Sequence, residues 1–188
     1  MKLALRPIGA AILGVALASS VPGLALPVAT VWLRAASSDH ALSAETPCSF
    51  EEVEGFRQLP SDFLKGIILP SQSRIVCAKN GLILLAGVSE SSEAEARGSA
   101  IFDQLMAFAK ADKTAEGAPS LVTIDGHRAF LNRQESNGVV AQTGTIELSR
   151  TSIIVAVAGG GQPGVSLTVK EQGDAINRFY GSIKVGGQ

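Results

Sequence analysis

His127 and Asp125 stand two residues apart, with Gly126 between them, and form the one imidazole–carboxylate pairing in the part of the chain that reads as folded. A carboxylate beside an imidazole can orient the ring and support it as a general base, the chemistry of a small hydrolase. The pair lacks the rest of such a mechanism. No Gly-x-Ser-x-Gly elbow occurs, neither cysteine sits in a nucleophile motif, and the two residues flank a tight turn, where polar side chains are expected on structural grounds. Glu135 and Glu147 fall on runs read as adjacent strands, where they could face each other as a carboxylate pair.

A second candidate is Gly159-Gly160-Gly161-Gln162-Pro163-Gly164, in which Gly159, Gly161 and Gly164 satisfy a dinucleotide-binding spacing after one strand and before a helix. The match is spurious as a cofactor site. A dinucleotide unit opens its helix inside the motif and needs a following parallel strand with an acidic residue about twenty positions on. Pro163 occupies the turn, the remaining residues are consumed by a final helix, and no Gly-Lys-Ser/Thr follows to hold a phosphate. The segment reads as a flexible loop, and no cofactor is expected.

Cys48 and Cys77 are the two cysteines. In an exported chain an even count predicts one disulfide, worth about 3 to 4 kcal/mol by loop entropy. The alternative is two free thiols, with Cys77 a small buried hydrophobe. Neither has a Cys or His neighbour at metal-binding spacing, so no metal site is expected.

Charge excludes one class of partner. Lys2 and Arg6 lie in the leader, and the chain beyond Ala25 carries 14 basic against 17 acidic residues, with the basic ones scattered singly. Nucleic acid is not a partner for such a surface. The leader has Lys2 and Arg6 before an apolar stretch from Ile8 to Leu17, followed by small-residue sites at Ala16-Leu17-Ala18 and Gly23-Leu24-Ala25. Residues 1–25 therefore read as a signal peptide cleaved after Ala25, the alternative being an uncleaved membrane anchor over residues 7–33. Residues 26–46 read as a flexible tether, including His40, and 47–188 as a single domain.

The elements that must position these residues announce themselves by turn chemistry. Asn80-Gly81, Asp125-Gly126 and Asn137-Gly138 each separate apolar runs and predict two-residue hairpins. The first joins 74–78 to 82–88; the others begin a meander over 121–124, 127–135, 139–148 and 152–158. Leu82 to Ala86 and Ile153 to Val157 are apolar at consecutive positions, which predicts strands covered on both faces. Glu51, Glu52 and Glu54 read as a solvated face, ahead of a helical turn near 62–66. Ser92-x-x-Glu95 and Thr168-x-x-Glu171 are capping boxes. They open one helix running to about Ala111 and a second presenting Val169, Ile176, Phe179, Tyr180 and Ile183. The fold class is α+β: a largely antiparallel sheet of about six strands, hairpin plus four-strand meander, packed by two amphipathic helices.

This order of elements over roughly residues 55–186, with the closing run Ile176-Asn177-Arg178-Phe179-Tyr180-Gly181-Ser182-Ile183-Lys184, resembles the Mog1/PsbP-like sandwich. Members of that family often end in a helix with a similar aromatic-x-Ser-apolar close. The resemblance implies a three-layer α/β/α domain without intrinsic catalysis, used as an accessory or binding module.

The sequence thus reads as an exported, periplasmic protein acting as a non-catalytic accessory module, its partner a protein of the envelope or a small ligand docked at a sheet edge or at the 159–164 loop. The alternatives are an extracytoplasmic hydrolase using His127 with Asp125, and a structural envelope protein anchored by residues 7–33.

Overall fold

A computed structural model of the 188-residue chain describes residues 31–57, 70, 73–92, 100–111, 119–160 and 167–186. The leader, the turn expected near 62–66, Glu95 of the first capping box, and Gly161 and Gly164 lie outside the described residues.

All three Xaa-Gly turns form as their chemistry requires. Asn80, Asp125 and Asn137 have φ of 53°, 49° and 52°, and each is followed by a glycine also at positive φ. Two successive positive-φ residues match the right-handed twist of the flanking strands, so the partners are locked in register. The turns link β3 (Arg74–Lys79) to β4 (Leu82–Glu90), β5 (Ser120–Ile124) to β6 (His127–Ser136), and β6 to β7 (Val139–Glu147). A polar corner then leads to β8 (Ser152–Gly160), and β8 pairs along its length with β4. The result is a six-stranded antiparallel sheet in the order β3-β4-β8-β7-β6-β5.

The continuous apolar runs sit in the middle of this sheet because both of its faces are covered. Leu84, Ala86, Ile146, Ile154 and Ala156 point to one face, where they meet Ile176, Phe179 and Tyr180 of the last helix, α3 (Val169–Ser182). Leu85, Phe130, Ile153 and Val155 point to the other, against Phe102 of α2 (Ile101–Ala111). The predicted capping box of α3 is present: Thr168 Oγ1 accepts the Glu171 N–H at 3.2 Å, and the Glu171 carboxylate accepts the Thr168 N–H at 2.8 Å.

Two expectations are corrected. The first helix is α1 (Phe50–Arg57), opened by a capping box at Ser49 and Glu52: the Ser49 N–H donates to Glu52 Oε2 at 2.7 Å and the Glu52 N–H to Ser49 Oγ at 3.3 Å. Glu52 also pairs with Lys79 of β3 at 2.8 Å, so it is a structural link as well as part of a solvated face. The second correction concerns the tether. Residues 33–46 are folded, as β1 (Leu33–Ala36) and β2 (Leu42–Thr46), and β2 pairs with the short β9 (Lys184–Val185) in a second, three-stranded sheet. Leu42 and Ala44 are fully buried. Their alternation with Ser43 and Glu45 is a strand pattern written in small residues, and its partner comes from the far end of the chain.

Cys48 and Cys77 are disulfide-bonded, with Cα atoms 5.8 Å apart, and both are buried. The bond ties the segment between β2 and α1 to the edge strand β3. Among the described residues no helix is long and apolar enough to cross a membrane.

Candidate functional site

The β5–β6 corner holds the sequence candidates, and the structure gives them other partners. Asp125 sits at the first position of the tight turn, which aims its carboxylate at β9. Its Oδ1 accepts from Lys184 Nζ at 2.8 Å and its Oδ2 from the Val185 N–H at 2.8 Å. These two donors, the lysine first, hold the Asp125 carboxyl below its ordinary 3.8. Both oxygens are therefore engaged in clasping the turn to the second sheet. His127 is half-buried and pairs through its backbone position with Ile124, and a protonated ring there would lower the Asp125 and Glu147 carboxyls slightly further.

This clasp predicts a pH dependence. The folded-state pKa of Asp125 lies below its unfolded value, so the stabilisation is complete above the unfolded value and is lost as pH falls through the lower folded one. Asp125→Asn should lower the melting temperature at pH 7, and the difference from wild type should shrink through the pH range below about 4, where the native carboxylate itself protonates. Thermal scans across that range read the effect; an unchanged difference at acid pH would mean that the clasp is not electrostatic.

Glu135 and Glu147 do not approach each other. Glu135 pairs with Val140 and Arg128 with Glu147, placing the two carboxylates at opposite ends of the β6–β7 hairpin, about seven residues or roughly 24 Å apart. Glu147 is instead gripped by Arg128, Nε to Oε2 at 2.6 Å and Nη2 to Oε1 at 2.9 Å, which lowers its pKa. The same guanidinium reaches Asp103 of α2 at 3.3 Å and lies 4.9 Å over the Phe102 ring, pinning α2 to the sheet.

The glycine segment is also corrected where it is described. Gly159 and Gly160 are strand residues, Gly159 pairing with Ile83 on one side and Ala141 on the other. Gly160 is small because Gln172 of α3 lies against it: an added Cβ would stand 2.0 Å from Gln172 Oε1. The buried Gln172 amide accepts the Val140 N–H at 2.8 Å and donates to the carbonyls of Gly138 and Leu167 at 2.9 Å each. It continues the β7–β8 ladder one rung beyond the pair Ala141–Gly159. Tyr180 acts similarly, its buried hydroxyl bonded to the carbonyls of Gln142 and Ala156. Sequence reasoning missed both side chains. Gln172 falls three to four residues from Val169 and Ile176, on the apolar stripe of its helix, and a polar residue on such a stripe is a signal for a buried hydrogen-bonding role.

What the corner leaves open is the outer edge of β5. Among the described residues β5 pairs only with β6 and ends the sheet. Because Ile124 and His127 close a two-residue hairpin, Ile124, Val122 and Ser120 direct their backbone groups to β6, while Leu121 and Thr123 direct theirs outward. Leu121 is 63% exposed, and β5 carries no charge and no proline of the kind that usually blunts an edge. Among the described residues no group of three or more His, Cys, Asp or Glu is arranged to hold a metal ion.

Comparisons with known proteins place the chain in no family. No protein-family model matches it, and no curated protein does. A crystal structure of a protein from Bacteroides thetaiotaomicron VPI-5482 superimposes with a TM-score of 0.30 at 10% identity, over 63% of this chain and 44% of that one. The chain thus spans less than half the length of that protein, and so low a score carries no argument about fold or activity.

Proposed function

We propose that this protein is a non-catalytic accessory module of the bacterial envelope that binds an extended segment of a partner protein along β5. The observation that carries the reading is the uncharged outer edge of β5, where Leu121 and Thr123 offer a donor and an acceptor each to an added strand and Leu121 offers an apolar contact. Backbone pairing supplies affinity in such binding, and alternate side chains supply selectivity. The buried disulfide supports an oxidising compartment, and the leader supports the periplasm as that compartment. The resemblance to the Mog1/PsbP-like family supports the same class of role. Engagement of both Asp125 oxygens by Lys184 and Val185 weighs against the hydrolase alternative, since His127 would have to share its carboxylate with the fold.

The test is capture from the envelope after mild cross-linking, with identification by mass spectrometry, using wild type, Thr123→Pro and Leu121→Lys. The Thr123 N–H points away from β6, so proline there removes an outward donor and leaves the β5–β6 ladder intact. One dominant partner is expected, with recovery reduced about tenfold by Thr123→Pro, as loss of roughly 1.4 kcal/mol of binding would give. Recovery unchanged by both substitutions would remove β5 as the site. Substrate turnover by the pure protein that vanishes in His127→Ala would replace the reading by the hydrolase.

A further inference from the structure

Val31, Leu33 and Phe50 are large apolar side chains left 68%, 46% and 72% exposed, and the topology gathers them at one corner. Leu33 opens β1 opposite Thr46, the last residue of β2, and α1 opens with Phe50 four residues beyond Thr46, a reach of at most about 14 Å. Trp32 lies between Val31 and Leu33, with the Arg178 guanidinium 4.8 Å from its ring centroid. Arg178 and Arg34 both pair with Glu45, at 2.8 Å and 3.8 Å, so the apolar corner is bordered by two guanidinium groups and one carboxylate.

The chain leading into this corner indicates what covers it. From Pro7 to Leu33 there is no charged residue, and β1 begins at Leu33, so an uncharged stretch runs directly into the exposed apolar side chains without a polar spacer. Trimming after Ala25 would still leave Leu26-Pro27-Val28-Ala29-Thr30 ahead of Val31. A tryptophan flanked by apolar residues and arginines suits the boundary between headgroups and acyl chains, where the indole takes the polar level and the guanidinium groups meet phosphates.

We propose that this corner rests on a lipid bilayer, with Val31, Leu33 and Phe50 entering the acyl boundary and Arg34 and Arg178 facing lipid phosphates. The placement is independent of the partner edge at β5 and fixes which side of the domain faces the membrane.

Trp32 is the only tryptophan, so its emission reports on this corner alone. The full chain, purified from producing cells with the N-terminus it carries there, is mixed with phosphatidylethanolamine–phosphatidylglycerol vesicles whose acyl chains are brominated near the carbonyl end. Trp32 emission should fall severalfold relative to unbrominated vesicles and resist iodide in the water. A second chain, carrying Trp32→Phe and Phe50→Trp, moves the probe to the folded start of α1, away from the leader, and should be quenched by the same lipid. Phe50 is exposed, so this substitution does not disturb the core. Iodide quenching with no effect of bromine overturns the proposal. Bromine quenching in the wild type but not in the second chain overturns it equally, because then only the leader touches lipid; protection from both quenchers would mean a protein covers the corner.

Discussion

Replacing Cys48 and Cys77 together by alanine is expected to lower stability by about 3–4 kcal/mol, the loop-entropy contribution of a cross-link between residues 29 apart in sequence. For a domain of this size that is a fall in melting temperature of roughly 7–15 °C. The bond matters here because of what it joins. Cys48 follows β2, whose sheet is completed only by β9, and Cys77 lies on β3, an edge strand of the main sheet. Without the link, β1, β2 and α1 are held to the domain by the burial of Leu42, Ala44 and Val53, the Glu52–Lys79 pair and the two-rung pairing with β9. Calorimetry and urea unfolding of the double variant measure the effect. A shift below about 1 kcal/mol would show that the denatured chain is already constrained in this region.

The second large effect is expected at Gly160, where one methyl group should cost about 2–4 kcal/mol. The φ of Gly160 is not in the left-handed region, so the conflict is purely one of space: Gln172 Oε1 and Cδ lie 2.0 and 2.4 Å from where the Cβ would be. The side chain must withdraw, and its withdrawal takes the acceptor from the Val140 N–H and the donor from two carbonyls in a buried setting, where each orphaned group costs about 1–3 kcal/mol. A double-mutant cycle isolates the cause. Gln172→Ala should destabilise by itself, and Gly160→Ala added to it should cost less than about 1 kcal/mol, because the atom it strikes is gone. Full additivity of the two changes would place the origin of the effect elsewhere in β8.

Much of the fold was legible. The Asn80-Gly81, Asp125-Gly126 and Asn137-Gly138 turns and the Thr168–Glu171 cap act within four residues of chain, so their chemistry is complete in the local sequence. The unbroken apolar runs of β4 and β8 signalled cover on both faces, and α3 and α2 supply it. The candidate site was far less legible. Asp125 was read beside His127 because they are neighbours in sequence, yet its oxygens are taken by Lys184 and Val185, some sixty residues on. Gly159 and Gly160 were read as loop because glycine favours loops, whereas the packing of Gln172 requires one of them in a strand. The capping box at Ser49 was overlooked because a helix of eight residues with Gly55 in it has little periodicity to support it.

The sequence by itself determined the hairpins, the meander, the amphipathic helices and, with only two cysteines available, the identity of the disulfide. These depend on turn dihedrals, side-chain periodicity and counting. Only the tertiary structure decided that residues 33–46 are strands, that β4 lies against β8, that Glu135 and Glu147 are far apart, and that Asp125 belongs to β9. The physical reason is that a short strand such as β2 has no stability apart from its partners. Its formation is determined by burying Leu42 and Ala44 against α3 and pairing Ser43 with Lys184, contacts whose loop-closure cost is met only when the whole domain is assembled.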